Sequence, residues 1–336
     1  MGDAAVGLDI GGTKILGLAV DLGSGEVLAE RRVPTPQGRA EVADALGTVV
    51  DALAEGSGRP IRAVGVGAAG LVDTSGVLRY GPNLPGVVDL DLVGLLGDRL
   101  GLPVAVDNDA TAATVAEHRL GAARGVDDAL YVALGTGIGG GIVLDGALRR
   151  GAHGFGGELG HVVIDPDGPL CGCGRQGCWE RLASGSALGE QAREAVLDGR
   201  GAGILAAAGA ERADDVTGEH AVAAAAAGDP EGLAVMAAFA RWVALGLAGF
   251  VNALDPSVVV IGGGVVEAGP VLLDPLRSAV ADLIIGSSHR PPVPVLPAVF
   301  GEHAAAVGAA LLAADALRPD GEVRPRTFDP GSAAQR

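Results

Sequence analysis

Residues 4–20 and 129–144 follow one plan: a short apolar run, a cluster of glycines, then a second short apolar run. In the first, the runs at 4–10 and 15–20 are joined by Gly11-Gly12-Thr13-Lys14 and read as a β-hairpin with a glycine turn. In the second, Ala129–Leu134 is a strand, Gly135–Gly141 a glycine loop and Ile142–Leu144 a returning strand. A chain that repeats this design is constrained to two related halves, each opened by an antiparallel hairpin. After the first hairpin come a third strand at Glu26–Val33, a helix at about 39–55 and a strand at 61–67. A helix at about 90–100, the strand Pro103–Val106 and a helix opened by Asp109 and running towards Leu120 complete that half. The order β-β-β-α-β-α-β-α combines an antiparallel start with parallel crossovers and places the chain in the α/β class. In the second half, helices are expected at about 184–198, 218–227 and 230–254. A strand Ser257–Ile261 closed by Gly262-Gly263-Gly264 and a final amphipathic helix at 303–317 follow. Residues 318–336, rich in Pro, Arg and Asp without periodicity, are expected to be a disordered tail.

Apolar residues make up 49% of the 336 residues but aromatics only 3%, so the core must be assembled from Ala, Val and Leu. The net charge of −17 argues against nucleic acid as a partner, because phosphates are neutralised by Lys and Arg. Residues 1–10 carry no basic segment followed by a long apolar one, so no signal peptide is expected. The stretch 235–254 is apolar except for Arg241 and Asn252 and is long enough for a membrane span. Its Ala/Gly richness and its Arg favour a buried helix in a soluble protein without a membrane partner.

All three cysteines fall in one window, Cys171-Gly-Cys173-Gly-Arg-Gln-Gly-Cys178-Trp-Glu180, with His161 ten residues upstream of the first. Three thiolates and an imidazole are a complete tetrahedral ligand set for Zn²⁺; the alternative is three buried free thiols. An odd, clustered count does not suit a disulfide framework and points to a reducing cytoplasm. The other histidines (118, 153, 220, 289, 303) lack such spacing. Glu158 and Glu180 lie in the same window, and the second nitrogen of His161 could donate to a carboxylate or a ligand oxygen.

Asp9-Ile-Gly11-Gly12-Thr13-Lys14 sits at a strand end. Its glycines let backbone approach a phosphate, Thr13 and the amides donate, Lys14 supplies charge, and Asp9 could hold Mg²⁺ through water. A plain hairpin turn would explain the glycines but not their polar neighbours. The loop containing Gly135, Thr136, Gly137 and Gly139 is neither a Walker A motif nor a Rossmann fingerprint, since no Gly-Lys-Ser/Thr ends it and a strand follows. Paired with the first loop, it suggests two hairpins gripping one polyphosphate. Gly262 and Gly263 would suit close packing against a base or ribose, or a structural turn. Asp109 after Asp107-Asn108 is by position a helix N-cap. Beside a phosphate, its carboxylate could instead take the proton from an attacking hydroxyl, while the Asn108 amide suits a hydroxyl-rich ligand.

Together these pieces resemble the ROK family of the hexokinase–actin superfamily, over about residues 6–317. The matching segments are LDIGGTK, GAAGLVD (67–73), PNLPG (82–86), VDNDA (106–110), LGTGIGGGI (134–142), GELGH (157–161) and CGCGRQGCWE (171–180). GAAG-x-VD is the form usual in the family's actinobacterial glucokinases; many other members carry Pro at the position of Ala69. The resemblance implies a two-domain actin-like, hexokinase-type (ribonuclease H-like) ATPase fold with a cleft between the domains. The boundaries expected are an α/β domain at 1–120 completed by helix 303–317, and a larger α/β domain at 121–302.

ATP and Mg²⁺ are implied at the two glycine loops, Asp109 as the base for a sugar 6-hydroxyl, and Asn83, Asn108, Glu158, His161 and Glu180 as hexose ligands beside the Gly70 loop. His161, Cys171, Cys173 and Cys178 match the family's zinc ligands. The activity implied is phosphorylation of glucose; a kinase of N-acetylglucosamine, N-acetylmannosamine or fructose, or a non-catalytic sugar-binding protein, are the alternatives. A homo-oligomer, dimer or tetramer, is expected. Thr111 replaces an Asn common among relatives, and no helix-turn-helix precedes residue 6, so the repressor branch is not expected.

Overall fold

The computed structural model describes residues 3–81, 84 and 87–317; Asn83 and the tail expected at 318–336 lie outside the described residues. The early elements are β1 (Ala4–Ile10), β2 (Lys14–Asp21), β3 (Val27–Pro34), α1 (Arg39–Ser57), β4 (Ile61–Ala68) and β5 (Leu71–Val72). They continue with β6 (Val77–Tyr80), β7 (Val88–Asp91), α2 (Leu92–Leu100), β8 (Val104–Asn108) and α3 (Asp109–Arg119). Next are β9 (Ala129–Leu134), β10 (Ile138–Leu144), β11 (Ala147–Leu148), α4 (Glu180–Ala183), α5 (Gly185–Leu197) and α6 (Ala202–Ala208). The chain closes with α7 (Gly218–Ala226), α8 (Pro230–Leu254), β12 (Val258–Gly262), α9 (Pro270–Leu283), β13 (Val295–Pro297) and α10 (Ala304–Asp315).

The chain forms two compact units. One gathers the residues up to Arg124, the segment Leu148–Gly157 and the segment beginning at Glu302; the other comprises Gly125–Ala147 and Glu158–Gly301. The first unit holds a five-stranded sheet in the order β3-β2-β1-β4-β8, and the second a five-stranded sheet in the order β11-β10-β9-β12-β13. In each, a strand pairs antiparallel with its hairpin partner on one side and parallel with a crossover strand on the other. The repeated strand–glycine–strand plan is therefore a repeated topology.

With few aromatics, the first unit gains its density from backbone proximity. Gly7 of β1 lies opposite Leu18 of β2, and Leu8 opposite Gly17, so Gly7 and Gly17 look to opposite faces of the sheet. On the Gly17 face sits α1, whose Val42, Leu46, Val49, Val50 and Leu53 are buried at helical spacing. On the Gly7 face sits α10. A Cβ on Gly7 would fall 1.7 Å from the Ala306 carbonyl oxygen, and one on Gly65 of β4 would fall 1.8 Å from that of Ala309. On the far side of α10, a Cβ on Gly308 would fall 1.7 Å from the Ala112 carbonyl oxygen of α3. Helix α10 is thus not amphipathic, as the sequence suggests, but buried nearly all round, because sheet and helix α3 enclose it.

In the second unit, α8 is long and apolar enough to cross a membrane by length and composition. Its Val235, Met236, Phe239, Ala240, Val243, Ala244, Leu247 and Val251 recur at three- and four-residue spacing and are buried in the core beside β9 and β12. Other elements depart from expectation. Strand β10 begins at Ile138, so the second hairpin turn is Gly135–Gly137 and the remaining glycines belong to the strand. A Cβ on Gly140 would meet Leu159 at 2.3 Å and the Tyr131 carbonyl oxygen at 2.8 Å; glycine there serves packing, not turning. Strands β5–β7 and β13 and helices α6 and α9 are additional. Pro270 and Pro275 disguise α9: the first occupies a favourable N-terminal position, the second an interior one.

Gly308→Ala should therefore lower unfolding stability by about 2–3 kcal/mol, as overpacking against fixed backbone does. Gly249→Ala, in α8 where a Cβ meets nothing within 4 Å, should raise it by about 0.5–1 kcal/mol. Urea unfolding of the two variants measures both.

Candidate functional site

Three carboxylates meet at the carboxyl end of the first unit's sheet. Asp9 of β1 is level with Gly67 of β4, and Gly67 with Asp107 of β8. Beyond them, Asn108 rather than Asp109 caps α3: its side-chain oxygen accepts from the Thr111 N–H at 3.0 Å. Asp109 thereby stands at the first helical position, its Oδ1 accepting the Ala110 N–H at 2.8 Å. Asn108 also donates to the Gly70 carbonyl at 3.2 Å, and its side chain hydrogen-bonds the Asp109 carboxylate. Gly70 has φ +148, and a Cβ there would lie 2.2 Å from the Tyr80 carbonyl oxygen.

Burial pushes Asp9 up to about 7, the Asp109 carboxylate adds to the rise, and Lys14 opposes it. Asp109 is pushed up by burial as well, against hydrogen bonds from backbone and Asn108 that favour its charged form. Two adjacent carboxyls that both resist ionisation suit a divalent cation at one and proton transfer at the other.

The β1–β2 turn of Gly11–Thr13 is tied by the Gly11 N–H to the Lys14 carbonyl at 3.0 Å and by the Thr35 hydroxyl to the Gly11 carbonyl at 2.7 Å. Gly12, Thr13 and Lys14 are exposed at its tip. Lys14 is the only lysine among the 24 cationic side chains of the chain. Its Nζ lies 3.1 Å from Glu302, which also takes two hydrogen bonds from Arg32, at 2.7 and 2.8 Å. These guanidinium and ammonium groups hold the Glu302 carboxyl down at about 2. Sequence reasoning missed Glu302, and no local signal marks a partner 288 residues away.

In the second unit, three backbone turns converge. The Gly185 N–H donates to the Gly135 carbonyl at 2.7 Å, and the Ser186 hydroxyl donates to the Thr136 carbonyl at 2.8 Å. A Cβ on Gly263 (φ +79) would lie 2.3 Å from the Leu134 carbonyl oxygen, and one on Gly262 would lie 2.3 Å from the Tyr131 hydroxyl. The first turn of α5 is thus brought to Gly135–Gly137 beside Gly262 and Gly263. Gly139 pairs with Ala133 inside the ladder. This junction of small residues beside a helix N-terminus suits a phosphate-bearing ligand.

The cysteine window folds as a compact knuckle. His161 Nδ1 and Cys171 Sγ are 3.7 Å apart and Cys173 and Cys178 Sγ 3.5 Å apart; the four donor atoms lie within 4.8 Å of one another. Zn–S bonds of about 2.3 Å in a tetrahedron imply edges of about 3.8 Å, so the donor set fits Zn²⁺. Glu180 Oε1 lies 3.0 Å from Cys171 Sγ and 3.5 Å from His161 Nδ1, while Glu158 is 3.9 Å from the imidazole's other nitrogen. The knuckle is anchored by Trp179, fully buried, whose indole N–H donates to the Trp242 carbonyl at 3.0 Å. Gly246 of α8 makes room for that ring: a Cβ there would come within 2.2 Å of it. Glu180 also reaches the Gly135–Gly137 turn, its Oε2 lying 2.7 Å from where a Gly137 Cβ would be.

A family model described as ROK family matches residues 5–316. A glucokinase of Streptomyces coelicolor is 40% identical over 310 residues, covering 92% of this chain and 96% of that protein. A glucokinase of Thermotoga maritima is 36% identical over 285 residues, covering 84% and 88%. Among solved structures, a ROK family glucokinase from Streptomyces griseus in complex with glucose and AMPPNP is 41% identical, with a TM-score of 0.82, covering 93% of this chain and 99% of that one.

Two outcomes check the site. Because the folded state binds a proton at Asp9 more tightly than the unfolded chain does, the stabilisation from this group is full below about pH 4 and lost as pH rises through about 7. Asp9→Asn should therefore match the wild type near pH 4 and melt above it near pH 8 in magnesium-free buffer. Elemental analysis should find about one zinc per chain, and Cys178→Ser should lose it together with thermal stability.

Proposed function

Because the chain belongs to the ROK family, we propose that it transfers the γ-phosphoryl group of ATP to the 6-hydroxyl of glucose. The chain is a hexose kinase with the family's two-domain actin-like, hexokinase-type fold. The observation that carries the assignment of roles is the pair Asp9 and Asp109, two half-buried carboxyls beside a glycine turn that bears the chain's sole lysine.

Asp109, relieved of capping duty by Asn108, is free to accept the proton of the sugar 6-hydroxyl as that oxygen attacks phosphorus. Its raised proton affinity brings it closer to the operating pH, where a general base is most effective. Held through Asp9 and water, Mg²⁺ would neutralise charge on the transferring phosphoryl group. The turns Gly11–Thr13 and Gly135–Gly137 offer backbone amides to phosphate oxygens, with Thr13, Thr136 and Lys14 as side-chain donors. Gly139, inside β10, sets the strand behind the turn, and Gly262 and Gly263 allow the nucleoside to approach. The hexose ligands proposed are Asn83, Asn108, Glu158, His161 and Glu180, with the Gly70 backbone. His161, Cys171, Cys173 and Cys178 would hold a structural Zn²⁺ that orients His161 and Glu180.

Asp109→Asn should lower kcat by at least about a thousandfold while leaving glucose affinity, measured by calorimetry, within a few-fold. Near wild-type turnover in this variant would overturn the assignment of the base. Since Lys14 is the only lysine, an amine-specific acylating reagent should modify one side chain, and MgATP should protect it; labelling unchanged by MgATP would remove Lys14 from the phosphate site.

A further inference from the structure

The third carboxylate, Asp107, is the buried one of the three and takes no part in the chemistry proposed above. It is 6% exposed, and the Arg150 Nε donates to its Oδ2 at 2.5 Å. Its Oδ1 accepts the Asn108 N–H at 2.9 Å. Burial pushes this carboxyl up, and the Arg150 guanidinium beside it opposes the rise. A buried ion is stable only with such a partner, and losing one member leaves the other uncompensated.

Arg150 arrives from an unusual place in the chain. Leu148–Gly157 packs with the first unit, although Ala147 before it and Glu158 after it belong to the second. Gly151, Gly154, Gly156 and Gly157 make this segment intrinsically floppy, so ordering it is entropically expensive. It is nevertheless closed on itself: the Gly156 N–H donates to the Arg150 carbonyl at 2.8 Å. It also lies flat on the backbone after β5. A Cβ on Gly154 (φ +92) would come 2.7 Å from the Val72 carbonyl oxygen and 2.8 Å from the Thr74 nitrogen.

We propose that Arg150 and Asp107 are a positioning pair, which locks the glycine-rich loop 150–157 to the strand end that carries Asn108 and Asp109. Neither residue touches a reacting atom. The pair acts through Asn108, which caps α3 and holds the Gly70 loop, and through the continuation of the loop into Glu158. A guanidinium suits the task because its planar fork has a defined direction, whereas an ammonium supplies only charge. The proposal rests on the hexose-kinase reading for its kinetic consequences but not for its structural ones.

The test compares Arg150→Gln, Arg150→Lys, Asp107→Asn and the double variant Asp107→Asn/Arg150→Gln. Each neutralising single variant should lower kcat about tenfold or more and raise the KM for glucose, with the KM for ATP within twofold of wild type. The double variant should be no worse than the poorer single, since the pair is one unit. Arg150→Lys should recover several-fold over Arg150→Gln. Hydrogen exchange should accelerate at the amides of Gly156 and Thr111 in both single variants, and that readout does not depend on which reaction is catalysed. Arg150, about one-third exposed, can be replaced without leaving a cavity, so Arg150→Gln carries the test if Asp107→Asn does not fold. Unchanged exchange at both amides in Arg150→Gln, or additive losses in the double variant, would overturn the pair. A wild type that does not phosphorylate glucose, yet shows faster exchange in the variants, would overturn the kinase reading and leave the pair standing.

Discussion

Burial of negative charge at one end of a sheet is the constraint on which the first unit depends. Asp9, Asp107 and Asp109 all sit where β1, β4 and β8 finish, and Gly67, level with two of them, adds no side chain of its own. Only Asp107 has a guanidinium against it; the Asp109 charge opposes ionisation of Asp9, and Lys14 is the nearby opposing charge. A fold that gathers carboxyls at such a place is destabilised by them unless a cation or a proton compensates. The same destabilisation suits the proposed phosphoryl transfer, in which Asp9 would attract Mg²⁺ and Asp109 would take a proton. Asp107, at the end of β8, is compensated instead by the guanidinium of Arg150 from the glycine-rich loop.

The surroundings make this arrangement rigid without bulky side chains. Helix α10 touches the sheet through Gly7 and Gly65 and touches α3 through Gly308, so backbone lies on backbone. Since α3 begins at Asp109 behind its cap Asn108, its placement by α10 also places Asp109. The second unit repeats the device at its own glycines: Gly246 admits the Trp179 ring, and Trp179 carries the cysteine knuckle and, next in sequence, Glu180. One carboxylate then stands beside His161, Cys171 and the Gly137 turn at once.

Much of this was legible in the sequence where the determinants are local. The hairpins at Gly11–Thr13 and Gly135–Gly137 announce themselves because a glycine turn between apolar runs has few other solutions. The Cys/His cluster is legible because its three thiols lie within eight residues and its imidazole ten residues before them. Legibility fails where a residue's reason is non-local. Gly139–Gly141 read as loop because glycine signals turns, yet Gly140 is glycine because Leu159 and Tyr131 press on it within a strand. By position alone Asp109 read as an N-cap, with proton acceptance as the alternative; the side-chain hydrogen bond to the Thr111 N–H shows that Asn108 is the cap. The partners of Lys14 and Asp107 lie 288 and 43 residues away, beyond any spacing rule. Strands β5–β7 are too short, and α9 too interrupted by proline, to register as periodic segments.

The central claim is that these carboxyls and turns serve phosphoryl transfer from ATP to the 6-hydroxyl of a hexose. The most direct measurement is ³¹P and ¹³C NMR of the products after the purified protein is incubated with glucose, ATP and Mg²⁺. Stoichiometric ADP and glucose 6-phosphate are expected, with phosphorus coupled to carbon 6. Release of inorganic phosphate without a sugar ester, or an ester at another carbon, would contradict the claim.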